Sequence, residues 1–195
     1  MMAQTLEPGN VAESTDPRIL RSRRMLMEAL ARLLNQKEFD VISIQEIADE
    51  ATLNRATFYL HYPDKDALLQ AMTAARFSEL IARRSLSFSN CDGALRAIAL
   101  GVCDFLAEST GCPSQLAKMP LERSIIPVVE GMFREGGGKH EMRPGTDPEL
   151  LATIAAWAVF GAARRWYQTP DRVAAEEMAA KIETMVKPIF LSASA

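Results

Sequence analysis

The side chains with the clearest chemical potential in this sequence are arginines near its N-terminus. Arg18, Arg21, Arg23 and Arg24 lie within a stretch of seven residues that contains no acid. The chain as a whole carries a net charge of -3, so attraction to a polyanion would have to come from a local cluster of this kind. A charge run of this sort is also what a solvated helix face looks like, and the residues alone leave both interpretations open.

Patterns for catalysis or metal binding are missing from the sequence. The three cysteines, Cys91, Cys103 and Cys112, form no C-x-x-C pair, and this indicates reduced thiols. The two histidines, His61 and His140, are too few for a histidine-rich metal cage. G-x-S-x-G, H-E-x-x-H and phosphate-loop spacings do not occur. We therefore expect no enzyme activity, no cofactor and no metal.

Length and hydropathy describe an ordinary globular protein. The 195 residues are 48% hydrophobic, which is enough to form one large domain or two small ones. The first 15 residues lack the features of a signal peptide. The longest apolar run, 150–163, is shorter than the ~20 residues of a membrane-spanning helix. We expect a cytoplasmic protein without membrane contact.

Helix signals follow one another along the chain. Asp16-Pro17 begins a helix that should end near Asn35, and Ser43 with Glu46 forms a capping box ahead of a short helix. Asn54 can cap a second short helix that ends near Tyr62. The remaining predicted helices cover residues 64–87, 90–109, 147–168 and 171–191, with a short helix and a longer, kinked one between 111 and 135, and a loop over 136–145. Strand-like alternation is weak throughout, so the predicted fold class is all-α.

The first three predicted helices have a recognisable arrangement. One helix of about five turns is followed by two helices of about two turns each, and a tight turn joins the last two. This is the layout of the helix-turn-helix, in which the second of the two short helices enters the DNA major groove.

Residues 39–69, FDVISIQEIADEATLNRATFYLHYPDKDALL, closely resemble the DNA-binding domain of the TetR family of bacterial transcriptional regulators. The matching motifs are SIQEIA at 43–48, NRATFY at 54–59 and HYPDK at 61–65, and the resemblance extends over about residues 16–84. Two positions depart from the family pattern. Leu60 stands where many members carry an aromatic or a basic residue, and Thr52-Leu53 stands where a glycine turn is more usual.

Residues 1–15 are polar and irregular, and we expect them to form a flexible tail. The resemblance implies a helix-turn-helix DNA-binding domain over 16–63 and a helical ligand-binding and dimerisation domain over 64–195. It implies a homodimeric repressor that binds a palindromic operator in double-stranded DNA and is released by a small-molecule effector. The alternative is a helical protein-interaction or architectural protein that has kept the DNA-binding fold.

The predicted DNA contacts centre on the second short helix. Arg55 can form paired hydrogen bonds with guanine, and Tyr59 lies four residues later on the same face. Ala56 and Thr57 are small and carry methyl groups suited to thymine. The free N–H groups after Ser43 can bind a phosphate. The full predicted set is Arg21, Arg24, Ser43, Gln45, Asn54, Arg55, Ala56, Thr57, Tyr59, His61 and Lys65.

The second domain offers a less specific pattern. Residues 150–163 are apolar nearly all round, and the last helix carries an apolar stripe, which together suit a four-helix dimer interface. The predicted interface residues are Leu150, Ile154, Gly161, Met178, Ile182 and Met185. Aromatic and methionine side chains could line a pocket for a largely apolar ligand, although ordinary core packing is the more common explanation for each of them. The predicted pocket residues are Phe77, Phe105, Met132, Trp157 and Phe160.

Overall fold

The computed structural model describes residues 16–84, 91–108, 120–137 and 147–190. In these ranges the chain forms α-helices and one short 3-10 helix, with no strand. The predicted N-terminal tail, the side chains of Cys91, Cys112 and His140, and the loop over 138–145 lie outside the described residues. None of the helices in these ranges combines the length and apolar character needed to span a bilayer.

Eight α-helices are described. Their bounds are α1 Pro17–Gln36, α2 Ile44–Glu50, α3 Arg55–His61, α4 Lys65–Arg83, α5 Cys91–Glu108, α6 Leu121–Gly137, α7 Pro148–Gln168 and α8 Ala175–Phe190, and the 3-10 helix Phe39–Val41 lies between α1 and α2.

Side-chain caps fix the starts of the first four helices. Asp16 accepts a hydrogen bond from the backbone N–H of Arg18, and Asn54 accepts one from the N–H of Ala56. Asp64 caps α4 in the same way. Ser43 and Glu46 form the predicted reciprocal capping box at α2. Each cap satisfies N–H groups that a helix start otherwise leaves unpaired, so these boundaries are set by local sequence.

The N-terminal unit, residues 16–72, encloses its own apolar core. α1 contributes Leu26, Leu30 and Leu34, while Phe58 of α3 is fully buried in the same cluster. Leu68 and Leu69 of α4 belong to it as well. The core of this unit therefore extends about two turns into α4, past the predicted boundary at residue 63.

The C-terminal unit, residues 73–190 in the described ranges, has a second and larger core. α5 packs along α8, α6 packs along α7, and the last turns of α4 contribute Phe77, Leu80 and Ile81. Gly101 of α5 lies directly against the ring of Phe77, where an added Cβ would come within 2.8 Å of a ring carbon. α5 therefore packs closely against α4 at this glycine.

Three helix boundaries differ from the sequence prediction. α4 ends at Arg83 rather than at residue 87, with Arg84 as its C-cap. α8 begins at Ala175 rather than at residue 171, because Asp171 takes a left-handed backbone conformation with φ of 51°. α6 continues to Gly137, two residues beyond the predicted end, and accommodates Pro127 within it.

The thiol of Cys103, in α5, is buried in the core of the C-terminal unit. Burial raises its pKa to about 12, so the thiol stays protonated at neutral pH.

Candidate nucleic-acid interface

The outward face of α3 presents the side chains predicted to read DNA. Phe58 anchors the helix in the core and packs edge-on against the ring of Tyr59, with ring centroids 5.6 Å apart. Arg55, Ala56 and Tyr59 are exposed on the opposite side, and Thr57 is half-buried. The burial pattern therefore settles which face of this short helix is free, a point that periodicity over seven residues cannot decide.

Arg55 and Tyr59 act as a pair. Nη2 of Arg55 donates a hydrogen bond to Oη of Tyr59 over 3.2 Å, and the guanidinium carbon lies 5.6 Å from the ring centroid. Within the described residues Arg55 forms no ion pair with a carboxylate. Its remaining N–H groups can therefore donate to an external acceptor, while Tyr59 restricts the motion of the side chain.

The turn that joins α2 to α3 forms without glycine. Thr52 adopts φ of 56°, the left-handed region that a β-branched residue rarely occupies. The backbone N–H of Leu53 donates to the carbonyl oxygen of Ala48 over 2.9 Å, which closes the turn. Thr52 thus takes a left-handed conformation although it is not glycine, and this conformation strains the backbone of the turn.

The N-terminus of α2 is already occupied by its own capping box. Glu46 accepts from both the backbone N–H and the hydroxyl of Ser43 at 2.8 Å, and Lys37 donates to the same carboxylate. The hydrogen bond from Lys37 and those from Ser43 lower the pKa of Glu46 to about 2. Gln45 is exposed and donates to Asp49 over 2.8 Å. A negative charge at this helix start reduces the attraction for phosphate that the sequence predicts.

Several arginines lie near the start of α1, and one of them, Arg23, is close to the end of α3. Arg18, Arg21 and Arg24 are exposed, and no ion pair to them is found in the described parts of the chain. The charge of Arg23 acts on the ring of His61, which brings the basic end of α1 next to the last turn of α3. Burial, together with Arg23, lowers the pKa of His61, so this residue is neutral at neutral pH and could offer DNA a hydrogen bond but not a charge.

Lys65 does not extend toward solvent as the sequence-based prediction requires. Its Nζ donates to the backbone carbonyl oxygens of Phe39, Asp40 and Ile42, over 2.9 to 3.0 Å, and lies 4.8 Å from the Phe39 ring centroid. An ammonium group has three hydrogens to donate, and all three are used. Lys65 therefore holds the connection between α1 and α2 in place, a contact over more than twenty residues that local sequence does not reveal.

Four of the five predicted pocket residues lie together in the C-terminal core. Phe77, Phe105 and Phe160 are buried, and Met132 packs against the same core. The prediction for Trp157 needs correction, because 51% of this residue is exposed on the outer side of α7. α7 itself carries apolar residues on most of its sides, so the sequence pattern does not show which side faces the core.

An exposed apolar stripe runs along α7. Leu150, Ile154, Trp157 and Gly161 follow at intervals of four, three and four residues, which places them within about 60° of one another round the helix. A Cβ built at Gly161 would have no atom of its own chain within 4 Å.

α8 adds further exposed apolar side chains but requires a second correction. Met185 is 76% exposed and Ile189 is exposed, whereas Ile182, predicted for the interface, is buried in the core of its own chain. Met178 is half-buried and packs on that core. The stripe predicted on α8 runs along the border between the buried and the exposed face of this helix. Some of its side chains are therefore in the core and others are exposed to solvent. We call Leu150, Ile154, Trp157, Gly161, Met185 and Ile189 the apolar stripe.

An open depression of about 470 Å³ lies where α7 connects to α8. Trp166 forms part of its wall and donates through Nε1 to the carbonyl oxygen of Val173 over 2.8 Å. The guanidinium of Arg172 stacks on the rings of Trp166 and Tyr167. None of the predicted pocket residues lines this depression. Among the described side chains, His, Cys, Asp and Glu form no group of three or more that could hold a metal ion.

The fold and the exposed face of α3 define an all-α protein of the helix-turn-helix class. Residues 26–72 match the model of a family described as bacterial regulatory proteins, tetR family. The chain is 29% identical over 126 residues to the HTH-type transcriptional regulator YxbF of Bacillus subtilis. That match covers 61% of this chain and 31% of YxbF, so it spans less than a third of the relative's length.

Two further relatives cover more of the chain. The HTH-type transcriptional regulator EthR of Mycolicibacterium smegmatis is 25% identical over 175 residues, covering 87% of this chain and 73% of EthR. A TetR-family regulator from Streptomyces coelicolor A3 superimposes with a TM-score of 0.65 over 91% of this chain and 98% of its own, at 16% identity, which supports the fold. Residues 26–72 thus match the TetR family of bacterial transcriptional regulators in sequence, and the described chain as a whole is similar to a regulator of that family in fold.

Proposed function

We propose that this protein is a cytoplasmic, homodimeric repressor that binds a palindromic operator through α3 and is released by a small, largely apolar effector. The observation that carries the proposal is the exposed face of α3, where Arg55 and Tyr59 form a pair with donor groups still free. On the neighbouring α1, Arg18, Arg21 and Arg24 supply positive charge and form no ion pair with a carboxylate of the described residues. A charged, rigid and hydrogen-bonding face of this kind suits direct reading of base edges in the major groove.

The apolar stripe supports homodimerisation. Single exposed apolar residues are normal, but a row of them along one helix face, with two more on an adjacent helix, is typical of an interface. A dimer related by a two-fold axis presents two copies of α3, and the operator would share that symmetry. The exposed glycine in the stripe favours a close approach of α7 to its copy.

The effector is proposed from the composition of the C-terminal core. Phe77, Phe105, Met132 and Phe160 offer apolar and aromatic contacts with few charges. A ligand can release DNA only if it prefers the non-binding conformation, and a shift from 1:99 to 99:1 requires about 5.5 kcal/mol of preference. Thermal-shift screening of apolar and polar compound sets, followed by gel shifts with the hits, tests this proposal. A tight, DNA-releasing polyanion would contradict the ligand class.

Operator binding is tested with Arg55→Ala against Arg165→Ala. Both arginines are exposed and without a carboxylate partner in the described chain, but Arg165 lies on α7. Using DNA from upstream of the protein's own gene, we expect Arg55→Ala to cost about 1–3 kcal/mol of binding free energy, or about 5- to 150-fold in affinity. Arg165→Ala should change affinity by less than about 2-fold.

The same titration should be repeated at several salt concentrations. Affinity should fall steeply with salt, because cationic contacts to phosphate release counterions. If the wild-type protein shows no sequence-specific binding to upstream DNA or to any site recovered by in vitro selection, the architectural or protein-interaction alternative is favoured instead.

A further inference from the structure

Arg123, in the first turn of α6, reaches from the C-terminal unit to two separate segments of the N-terminal unit. Its Nη1 lies 3.0 Å from Oδ1 of Asp40 in the 3-10 helix, and its Nη2 lies 2.6 Å from Oδ1 of Asp66 in the first turn of α4. The planar guanidinium therefore joins α6 to the 3-10 helix and to α4, with one nitrogen bound to each carboxylate.

Phe39 extends this contact into the N-terminal core. Its ring is almost fully buried, and the guanidinium carbon of Arg123 lies 5.6 Å from the ring centroid. Lys65 contacts the same ring and also binds the carbonyl oxygens of the 3-10 helix. The 3-10 helix that contains Asp40 is thus fixed to the core of the N-terminal unit. A contact that restrains Asp40 therefore restrains the whole N-terminal unit.

The other described ion pairs lie within one unit or join helices of the C-terminal unit. Arg76 and Arg83 of α4 pair with Glu108 of α5, and Arg84 pairs with Asp104 and Glu176. These pairs hold the last turns of α4 to the C-terminal unit. In the described residues, the pairs of Arg123 are the ones that reach the N-terminal unit from outside α4.

We propose that Arg123, through Asp40 and Asp66, fixes the orientation of the helix-turn-helix relative to the C-terminal unit and thereby sets the half-site spacing that the dimer accepts. We call these three residues the Arg123 clamp. The inference rests on the proposed operator binding. It assigns Arg123 a positioning role, because the clamp restrains rotation about α4, which otherwise connects the two units as a single continuous helix.

Exposure makes this role distinguishable from simple stabilisation. About half of the Arg123 side chain is exposed, and so is most of Asp40. Exposed ion pairs contribute little to the free energy of unfolding. Loss of the clamp should therefore leave the melting temperature nearly unchanged while it loosens the angle between the units.

The test compares Arg123→Ala with Arg134→Ala. Arg134 lies on the same helix, is similarly exposed, and pairs with Glu149 of α7 inside the C-terminal unit. Binding is measured on synthetic operators built from the half-site recovered by in vitro selection, with the spacing altered by one or two base pairs. We expect Arg123→Ala to reduce discrimination between spacings by about 3- to 10-fold, within the ~2- to 30-fold range of couplings between sites. Arg134→Ala should leave discrimination as in the wild type.

A charge swap supplies the rescue. Arg123→Glu places a third acid beside Asp40 and Asp66 and should loosen the orientation further. Adding Asp66→Arg restores an attractive arrangement, in which the new arginine lies between Asp40 and the glutamate introduced on α6, and should recover spacing discrimination. Failure of the double variant to recover, or wild-type discrimination in Arg123→Ala, would overturn the proposal.

The distance between the two units in the absence of DNA separates this proposal from the proposed function. Spin labels are placed on exposed positions of α1 and α7, and pulsed electron paramagnetic resonance measures the distance between them within one subunit. Arg123→Ala should broaden the distribution of this distance, because the N-terminal unit can then rotate about α4, while Arg134→Ala leaves the distribution as in the wild type. If the wild type binds no operator, the proposed function fails, and the clamp is judged by this distance alone. An unchanged distribution in Arg123→Ala would then overturn the clamp as well.

Discussion

The arginines of the two units are in opposite electrostatic situations. In the N-terminal unit, Arg18, Arg21, Arg24 and Arg55 have no carboxylate partner among the described residues. In the C-terminal unit most arginines are paired, and the hydrogen bonds that Arg84 donates to Asp104 and Glu176 raise the pKa of Arg84 above its usual range. Pairing cancels the field of a cation at short range, whereas unpaired cations keep their attraction for an external anion.

The apolar surfaces of the two units differ in the opposite sense. The C-terminal unit leaves the apolar stripe exposed along two adjacent helices. The exposed large apolar residues of the N-terminal unit, Leu20, Val41, Tyr59 and Leu60, are divided among α1, the 3-10 helix and α3 and do not repeat along one helix face. One unit therefore has unneutralised charge and the other has uncovered apolar surface, which indicates two different kinds of partner: a polyanion for the first and a second apolar surface for the second.

The largest expected effect tests the apolar half of this comparison with Gly161→Leu against Gly131→Leu. A Cβ at either glycine meets no atom within 4 Å in its own chain, so the fold should accept both substitutions. Only Gly161 lies in the apolar stripe. At a close contact between subunits, the larger side chain should cost about 1–3 kcal/mol, or about 5- to 150-fold in dimer affinity. Sedimentation equilibrium measures it, and equal dimerisation of the two variants would contradict this interface.

The next effect concerns the core that supports the stripe. Gly101→Ala should lower the free energy of unfolding by about 1–3 kcal/mol, because the new Cβ would lie 2.8 Å from a ring carbon of the buried Phe77. Gly131→Ala, which has open space, should instead raise stability by about 0.5–1 kcal/mol through helix propensity. Urea unfolding at one fixed protein concentration compares them. A stabilising Gly101→Ala would mean that the ring moves aside at no cost.

The starts of the helices in the N-terminal unit were accessible from sequence because local contacts decide them. Asp16, Ser43, Asn54 and Asp64 each bond to a backbone group two or three residues away. The same local motifs lead to the proposal that α3 is the recognition helix. What these motifs could not give is the position of Lys65, whose partners lie more than twenty residues earlier in the chain.

The orientation of the C-terminal helices was less predictable for a different reason. α7 is apolar on most sides, so no polar face marks the side that is exposed to solvent. For this reason the sequence pattern predicts Trp157 as a pocket residue, although its side chain is half exposed. On α8, Ile182 and Met185 are about 60° apart round the helix, and the border between core and surface falls between them. Tertiary packing decides such borders. The Arg123 contacts also join residues more than fifty positions apart, and no sequence pattern indicates them.

A smaller effect tests whether the turn before the recognition helix is strained. Thr52 holds φ of 56°, which costs an L-residue with a Cβ roughly 1–2 kcal/mol. Thr52→Gly removes that cost but gives the unfolded chain more freedom, so we expect a net gain of about 0.5–1 kcal/mol. Thr52→Ala keeps the Cβ and should gain less. Urea unfolding of the three proteins decides, and a destabilised glycine variant would show that the threonine side chain contributes a compensating contact.

The smallest effect tests how far the capping box stabilises the N-terminal unit, through its dependence on pH. The hydrogen bond from Lys37, with those from Ser43, lowers the pKa of Glu46 from its ordinary value of 4.5 to about 2. A carboxyl whose pKa is lower in the folded state contributes stability above its unfolded pKa and loses it as the pH falls through the folded pKa. The stability advantage of the wild type over Glu46→Gln should therefore be full above pH ~5 and shrink between about pH 4.5 and 2.

The urea midpoints of both proteins at pH 7, 5, 4 and 3 measure this difference in stability. Taking the difference cancels the titration of the other carboxylates, which both proteins share. Lys37→Gln should weaken the same dependence, because it removes the largest cause of the shift. An advantage that stays constant from pH 7 to pH 3 would show that the charge on Glu46 does not stabilise the start of α2.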